Sequence, residues 1–134
     1  MSGRMIFLSL PVGDLGRARA FYEGLGFRVN EYSSDDRTAS VVVDENIVVT
    51  LQTREWFAEL AGGDAGDPAH PTVVPCLTVE DRAEVDDLVA KAVAAGGREL
   101  LPGREEEARY TGSFTDPDGN GWQVLWLDQL HVVN

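Results

Sequence analysis

The 134-residue sequence predicts an α+β domain made of two tandem β-α-β-β-β modules. One observation behind this is a repeated junction. Leu10-Pro11-Val12-Gly13-Asp14 and Leu77-Thr78-Val79-Glu80-Asp81 stand at a constant offset, and each closes a β-rich run and opens a helical pattern. A second is that both helical patterns stop at glycines, Gly24 and Gly26 in the first and Gly96-Gly97 in the second, where a left-handed residue can end a helix without strain. The third is the stretch Phe114 to Asp128, FTDPDGNGWQVLWLD, which reads as a strand end, a tight turn and a final strand. A repeated order of elements is harder to obtain by chance than any single motif.

The elements follow in order. Met5 to Val12 is a short apolar run with Pro11 near its end, a strand. Asp14 is an N-cap candidate, and Leu15, Ala18, Phe21, Tyr22 and Leu25 recur at the spacing of an amphipathic helix. Phe27 to Tyr32 alternates apolar and polar residues and predicts a half-exposed strand. Thr38 to Val43 and Ile47 to Gln52 predict two more, joined by the hairpin turn Asp44-Glu45-Asn46. Thr53 to Leu60 has a helical pattern carrying Trp56 and Phe57. Ala61 to Pro71 is Gly- and Pro-rich and reads as a loop. The second module then runs through a strand at Val73 to Val79 and a helix at Asp81 to Ala95 with Val85, Leu88, Val89 and Ala92 on one face. A strand at Arg98 to Leu101, a solvated turn at Glu105 to Glu107 and strands at Arg109 to Thr115 and after the Asp-Pro-Asp-Gly turn complete it. The expected boundaries are a first module at about 4–53, a helix and linker at about 54–71 and a second module at about 72–128, all within a single domain of 1–134.

Composition narrows the function. A formal charge of −12, from 23 acidic and 11 basic residues, repels nucleic acid and anionic membrane surfaces. No apolar run reaches membrane-spanning length and no signal-peptide pattern is present. The single cysteine, Cys76, forbids an intrachain disulfide and suits a reducing compartment, so a cytoplasmic protein is expected.

A few residues invite chemistry. Gln123 is a polar group in an otherwise apolar strand, and two readings are open: an amide hydrogen-bonded inside a sheet, or a contact to a bound carbonyl or hydroxyl. Arg109 is either a surface residue opposite Glu105 to Glu107 or a reader of a carboxylate, and Tyr110 beside it either packs or offers its hydroxyl. Trp56 and Phe57 either pack or wall a ligand site. Cys76 reads better as a small buried residue than as a nucleophile, because no histidine lies on a strand beside it. Asp116 and Asp118 read as turn formers. His70 falls in the loop and His131 in the tail.

The stretches LPVGDLGRARAFYEGLGF (residues 10–27), VEDRAEVDDLVAKAVAAGG (residues 79–97) and FTDPDGNGWQVLW (residues 114–126) together resemble the vicinal oxygen chelate superfamily. That superfamily includes glyoxalases, bleomycin-resistance proteins and extradiol dioxygenases. The resemblance covers nearly the whole chain. It implies paired modules forming a curled mixed sheet around a cleft, and a homodimer with sites at or near the subunit interface. It also implies four metal-ligand positions, one from each of four strands. These fall on Phe7, Thr50, Val74 (or Cys76 if the register moves by one alternation) and Gln123. None is a carboxylate or an imidazole, and divalent ions need anionic oxygens or imidazoles.

The expectation is therefore a metal-independent, cofactor-free protein that binds a small organic molecule in the cleft. Phe7, Ser9, Thr50, Gln52, Trp56, Arg109, Tyr110 and Gln123 are its candidate ligand-binding residues, and none is assigned a catalytic role. A lyase, isomerase or dioxygenase of the same superfamily is the alternative. It is disfavoured because no ionisable side chain is found at the inward strand positions.

Overall fold

The computed structural model describes residues 3–67 and 73–128. The chain divides into two compact units, Met1–Asp67 and Pro68–Asn134, and the division falls inside the Gly- and Pro-rich loop.

The first unit contains β1 (Ile6–Val12), α1 (Leu15–Gly24), β2 (Arg28–Asn30), β3 (Thr38–Asp44), β4 (Ile47–Thr53) and α2 (Arg54–Ala61). Its sheet has the order β1-β4-β3-β2, with β1 parallel to β4 and the other pairs antiparallel. The second unit contains β5 (Cys76–Thr78), α3 (Arg82–Ala94), β6 (Arg98–Glu99), β7 (Arg104–Glu106), β8 (Arg109–Thr115) and β9 (Gly121–Leu127). Its sheet has the order β5-β9-β8-β6, with β5 parallel to β9 and β7 also paired to β8. These are two mixed sheets on the tandem plan, and neither closes into a barrel.

The repeated junction works identically in both units. The side chain of Asp14 accepts the Arg17 amide at 2.9 Å, and that of Asp81 accepts the Glu84 amide at 3.0 Å, so each helix begins on a satisfied donor. Both helices end on a left-handed glycine, Gly26 at φ +100° and Gly96 at φ +107°. The following amides reach back to Tyr22 and Ala92, which satisfies carbonyls of the last turn.

Strand alternation then sorts the faces. In the first unit, Val49, Leu51, Ala39 and Val41 turn to one side and are buried with Ala18, Phe21 and Tyr22 of α1. Phe21 and Tyr22 meet edge to face at 4.9 Å between ring centroids. In the second unit, Phe114, Trp122 and Val124 are buried on the side of α3, with Val85, Val89 and Ala92. Gly112 has no room for a side chain, because a Cβ there would stand 2.9 Å from Val85 and 3.0 Å from Val89.

Four sequence expectations are corrected. The strand predicted over Phe27 to Tyr32 is only three residues, because the chain winds into a 3-10 turn at Glu31–Ser33 with Asn30 capping the Tyr32 amide. The strand predicted over Val73 to Val79 is cut to Cys76–Thr78, although the Gln123 and Val79 amides extend its ladder through Pro75 and Leu125. The strand predicted over Arg98 to Leu101 ends at Glu99. Glu105 and Glu106, read as a solvated turn, lie in β7, and the turn is Glu107-Ala108, with Ala108 at φ +62°. Pairing to β8 and a salt bridge from Glu105 to Arg82 of α3 hold that strand.

The turn after β8 rests on one side chain. Asp116 is 2% exposed. Its Oδ1 accepts the amides of Asp118 and Asn120, both at 2.9 Å, and its Oδ2 accepts the Asn120 side-chain amide at 2.8 Å. Replacing it with Ala strands buried donors, so Asp116→Ala is expected to cost about 2–3 kcal/mol. The check is the urea midpoint, and a midpoint within error of wild type would remove the turn from this role.

Candidate functional site

Residues directly opposite one another in a ladder share a face. In the second sheet, Gln123 stands opposite Ser113 on one side and Cys76 on the other, and Thr111 stands opposite Leu125 and Arg104. Arg109 stands opposite Leu127 and Glu106. Their side chains therefore emerge on the face turned away from α3. A groove of about 470 Å³ lies there, lined by residues that include Leu101, Pro102, Arg104, Arg109, Ser113 and Gln123. This brings two of the sequence candidates, Arg109 and Gln123, to one groove.

Gln123 is exposed, and its side-chain amide makes no hydrogen bond to another described residue; its backbone is held in the ladders, its N–H donating to the Pro75 carbonyl at 2.8 Å. The reading of it as an amide sealed inside a sheet is thus set aside. Arg109 is exposed and has no ion pair among the described residues. Arg104 bonds Glu106 through Nε at 3.4 Å. Cys76, expected to be buried, is exposed. It belongs to an edge strand on the uncovered face, where nothing in its own sheet covers it. Partial desolvation against the sheet pushes its thiol up, and the nearby Arg109 guanidinium pulls it back down.

Tyr110 is separated from this group. As the next residue along β8 from Arg109, it takes the opposite face, and its hydroxyl donates to Asp86 Oδ1 of α3 at 2.7 Å. That bond belongs to the protonated phenol and raises its pKa, with smaller contributions in the same direction from burial and the nearby carboxylates. Alternation alone separates Arg109 from Tyr110, and that signal was available in the sequence. The residues that sequence reasoning missed are the groove's wall, Leu101-Pro102, and its second cation, Arg104. Leu101 ends the strand read at Arg98 to Leu101, and Pro102 and Arg104 fall between it and the turn read at Glu105 to Glu107.

In the first sheet, Ser9 stands opposite Thr50, and Phe7 opposite Val48. Ser9 Oγ and Thr50 Oγ1 hydrogen-bond at 2.9 Å. Gln52, on the same face, is 5% exposed and accepts from Thr38 Oγ1 at 3.3 Å. Phe7 is 62% exposed. Trp56 sits on α2 with the Arg37 guanidinium over its ring at 3.9 Å.

The residues do not fit a metal. Phe7 and Val74 carry no donor atom, Thr50 is neutral and engaged with Ser9, Gln123 offers a neutral amide, and Cys76 opposite it offers a single thiol with no second anionic or imidazole ligand among these positions. Among the described residues no three His, Cys, Asp or Glu side chains converge. His70 and His131 lie outside the described residues. No helix among the described residues is long and apolar enough to cross a membrane.

The comparisons with known proteins agree with this architecture. The family model described as Glyoxalase/Bleomycin resistance protein/Dioxygenase superfamily matches residues 4–124. No curated protein matches significantly. Among solved structures, a hypothetical protein from S. aureus is similar with a TM-score of 0.79 and 27% identity, covering 94% of each chain. A glyoxalase-related enzyme from Fulvimarina pelagi is similar at TM-score 0.78 and 24% identity, over 92% of this chain and 87% of the other. A lactoylglutathione lyase from Agrobacterium tumefaciens shares the fold at TM-score 0.68 and 18% identity, over 94% and 95%.

The closeness of Arg109 to Cys76 has a direct readout. Iodoacetamide is expected to label Cys76 more slowly at neutral pH than a free thiol, since only the thiolate reacts. Arg109→Gln removes the cation that favours the thiolate, so labelling slows further and its pH midpoint moves up. Equal rates and midpoints in wild type and variant would show that the two groups do not interact.

Proposed function

The chain belongs to the Glyoxalase/Bleomycin resistance protein/Dioxygenase superfamily, and from that premise we propose that it is a metal-independent protein that binds a small organic molecule. The observation that carries this reading is the pairing of Gln123 with an open groove. An amide stands on the uncovered face where the superfamily resemblance implies a metal-binding carboxylate, and its side chain has no hydrogen-bond partner among the described residues. An exposed amide on a groove face can exchange its water for a ligand's carbonyl or hydroxyl. Arg109 in the same groove supplies a forked donor. Phe7, Ser9, Thr50, Gln52 and Trp56 remain proposed contacts on the first unit. Tyr110, committed to Asp86 on the helix side, is the weakest of the proposed contacts.

An enzyme working by proton abstraction needs a base within reach of its substrate. Glu106 is the one carboxylate lining the groove, and Arg104 holds it in an ion pair. That supports binding over catalysis. We propose a homodimer as well, since β1 is an edge strand that leaves Ile6 and Phe7 exposed. The single cysteine suits a reducing, cytoplasmic setting.

Two measurements test this. Protein purified without chelator is expected to contain far less than one zinc, nickel, manganese or iron per chain by elemental analysis, with a melting temperature unmoved by EDTA. A stoichiometric metal that survives chelator would overturn metal independence. Light scattering after size exclusion is expected to give twice the chain mass, and a monomer at micromolar concentration would remove the dimer.

A further inference from the structure

The groove of the second unit carries enough chemistry to name the class of its ligand, on the premise that the protein is a small-molecule binder. Arg104, Arg109 and Glu106 are the charged groups lining it. They sum to one positive charge, inside a chain of formal charge −12. Arg104 and Glu106 offset each other's charge in an exposed ion pair at 3.4 Å. Arg109 is the cation left over, exposed and without an ion pair among the described residues. A guanidinium in that state matches a carboxylate through two parallel hydrogen bonds. A dianion such as a phosphate monoester would instead leave excess negative charge beside Glu106.

The far end is set by register. Arg109 and Ser113 lie four residues apart on β8, and Gln123 stands opposite Ser113. At a strand rise of about 3.3 Å per residue, Arg109 and Gln123 are roughly 13 Å apart along the sheet at the backbone. Both residues line the groove. Between them the wall is Leu101 and Pro102, an apolar surface. Ser113 stands at the Gln123 end, where its Oγ accepts the Leu101 amide at 3.0 Å, and Thr111 also lines the groove between the two ends.

We propose that this groove binds a monocarboxylate with an apolar middle and a hydrogen-bonding group at its far end, the carboxylate on Arg109 and the far group on Gln123. The net charge, the apolar Leu101-Pro102 wall and the register spacing of Arg109 from Gln123 each restrict the ligand.

The test uses phenylacetate, its neutral isostere phenylacetamide, and 4-hydroxyphenylacetate, titrated calorimetrically into the full chain. Phenylacetate is expected to bind wild type about tenfold or more tightly than phenylacetamide, the worth of a charge-assisted pair. Arg109→Gln is expected to erase that preference. The 4-hydroxyl is expected to tighten binding several-fold in wild type, and Gln123→Leu to lose that gain while keeping the preference for acid over amide. Phenylacetate is also expected to slow iodoacetamide labelling of Cys76, which shares the face; this readout places the acid even if a variant were to misfold. Equal binding of acid and amide, a preference that survives Arg109→Gln, or no protection of Cys76 would each overturn the proposal. Binding of phenylacetamide or benzylamine without the acid would overturn the carboxylate class and leave small-molecule binding standing. Failure of these probes and of a broad neutral and charged compound set to raise the melting temperature would remove both.

Discussion

The carboxylate of Asp116 is the constraint on which the second unit depends. Its bonds to Asp118 and Asn120 close the turn between β8 and β9 and so fix the register of that pair. Register in turn fixes which residues face α3, because a slip of one position exchanges the two faces of a strand. With the turn closed as it is, Phe114 and Trp122 stack at 6.4 Å beneath the helix, and Gln123 and Arg109 emerge on the other side. A slip of β9 by one residue would turn the Gln123 amide towards the helix and Trp122 away from it. The hydrophobic preference of that core and the geometry of the turn therefore enforce the same answer.

Duplication makes the two sheets comparable position by position. Ser9 and Thr50 are paired across β1 and β4 as Cys76 and Gln123 are across β5 and β9. In the first unit the two hydroxyls satisfy each other at 2.9 Å. In the second a thiol and an amide occupy the equivalent places, and the thiol is a weak partner for the amide. The pair in the first unit is thus self-contained, and the equivalent pair in the second keeps hydrogen-bonding capacity facing outward. The difference lies in side-chain chemistry alone, since strand order and parallel pairing are the same in both units.

Much of the fold was legible because its signals are local. The caps at Asp14 and Asp81, the stops at Gly26 and Gly96, and the turn at Asp116 act within a few residues of themselves. What was not legible depends on distant partners. Glu105-Glu106-Glu107 reads as a solvated turn by composition, and it takes Arg82, 23 residues away, and the ladder with β8 to make part of it a strand. Cys76 reads as buried from residue type, but exposure follows from its place on an edge strand's uncovered face, which pairing decides. Arg109 and Tyr110 were grouped because they are adjacent, whereas adjacency in a strand means opposite faces. The groove itself was not readable, because its wall, Leu101-Pro102, is a loop placed by bonds from the Leu100 and Leu101 amides to Ser113, a distant residue in sequence.

The amide at position 123 changes the electrostatics of its face as well as its donor chemistry. With Gln123 the charged groups lining the groove are two arginines and one glutamate, a surplus of one positive charge. A glutamate there would cancel that surplus and place a carboxylate at each end of β8's outer face. Any negatively charged ligand would then meet repulsion from both ends, in a chain whose overall field already opposes it. The neutral amide removes one of those obstacles and keeps a hydrogen-bond donor and acceptor in its place. The same substitution that deprives a metal of an anionic oxygen thereby leaves Arg109 as a net cation, and the two consequences come from one exchange of oxygen for nitrogen.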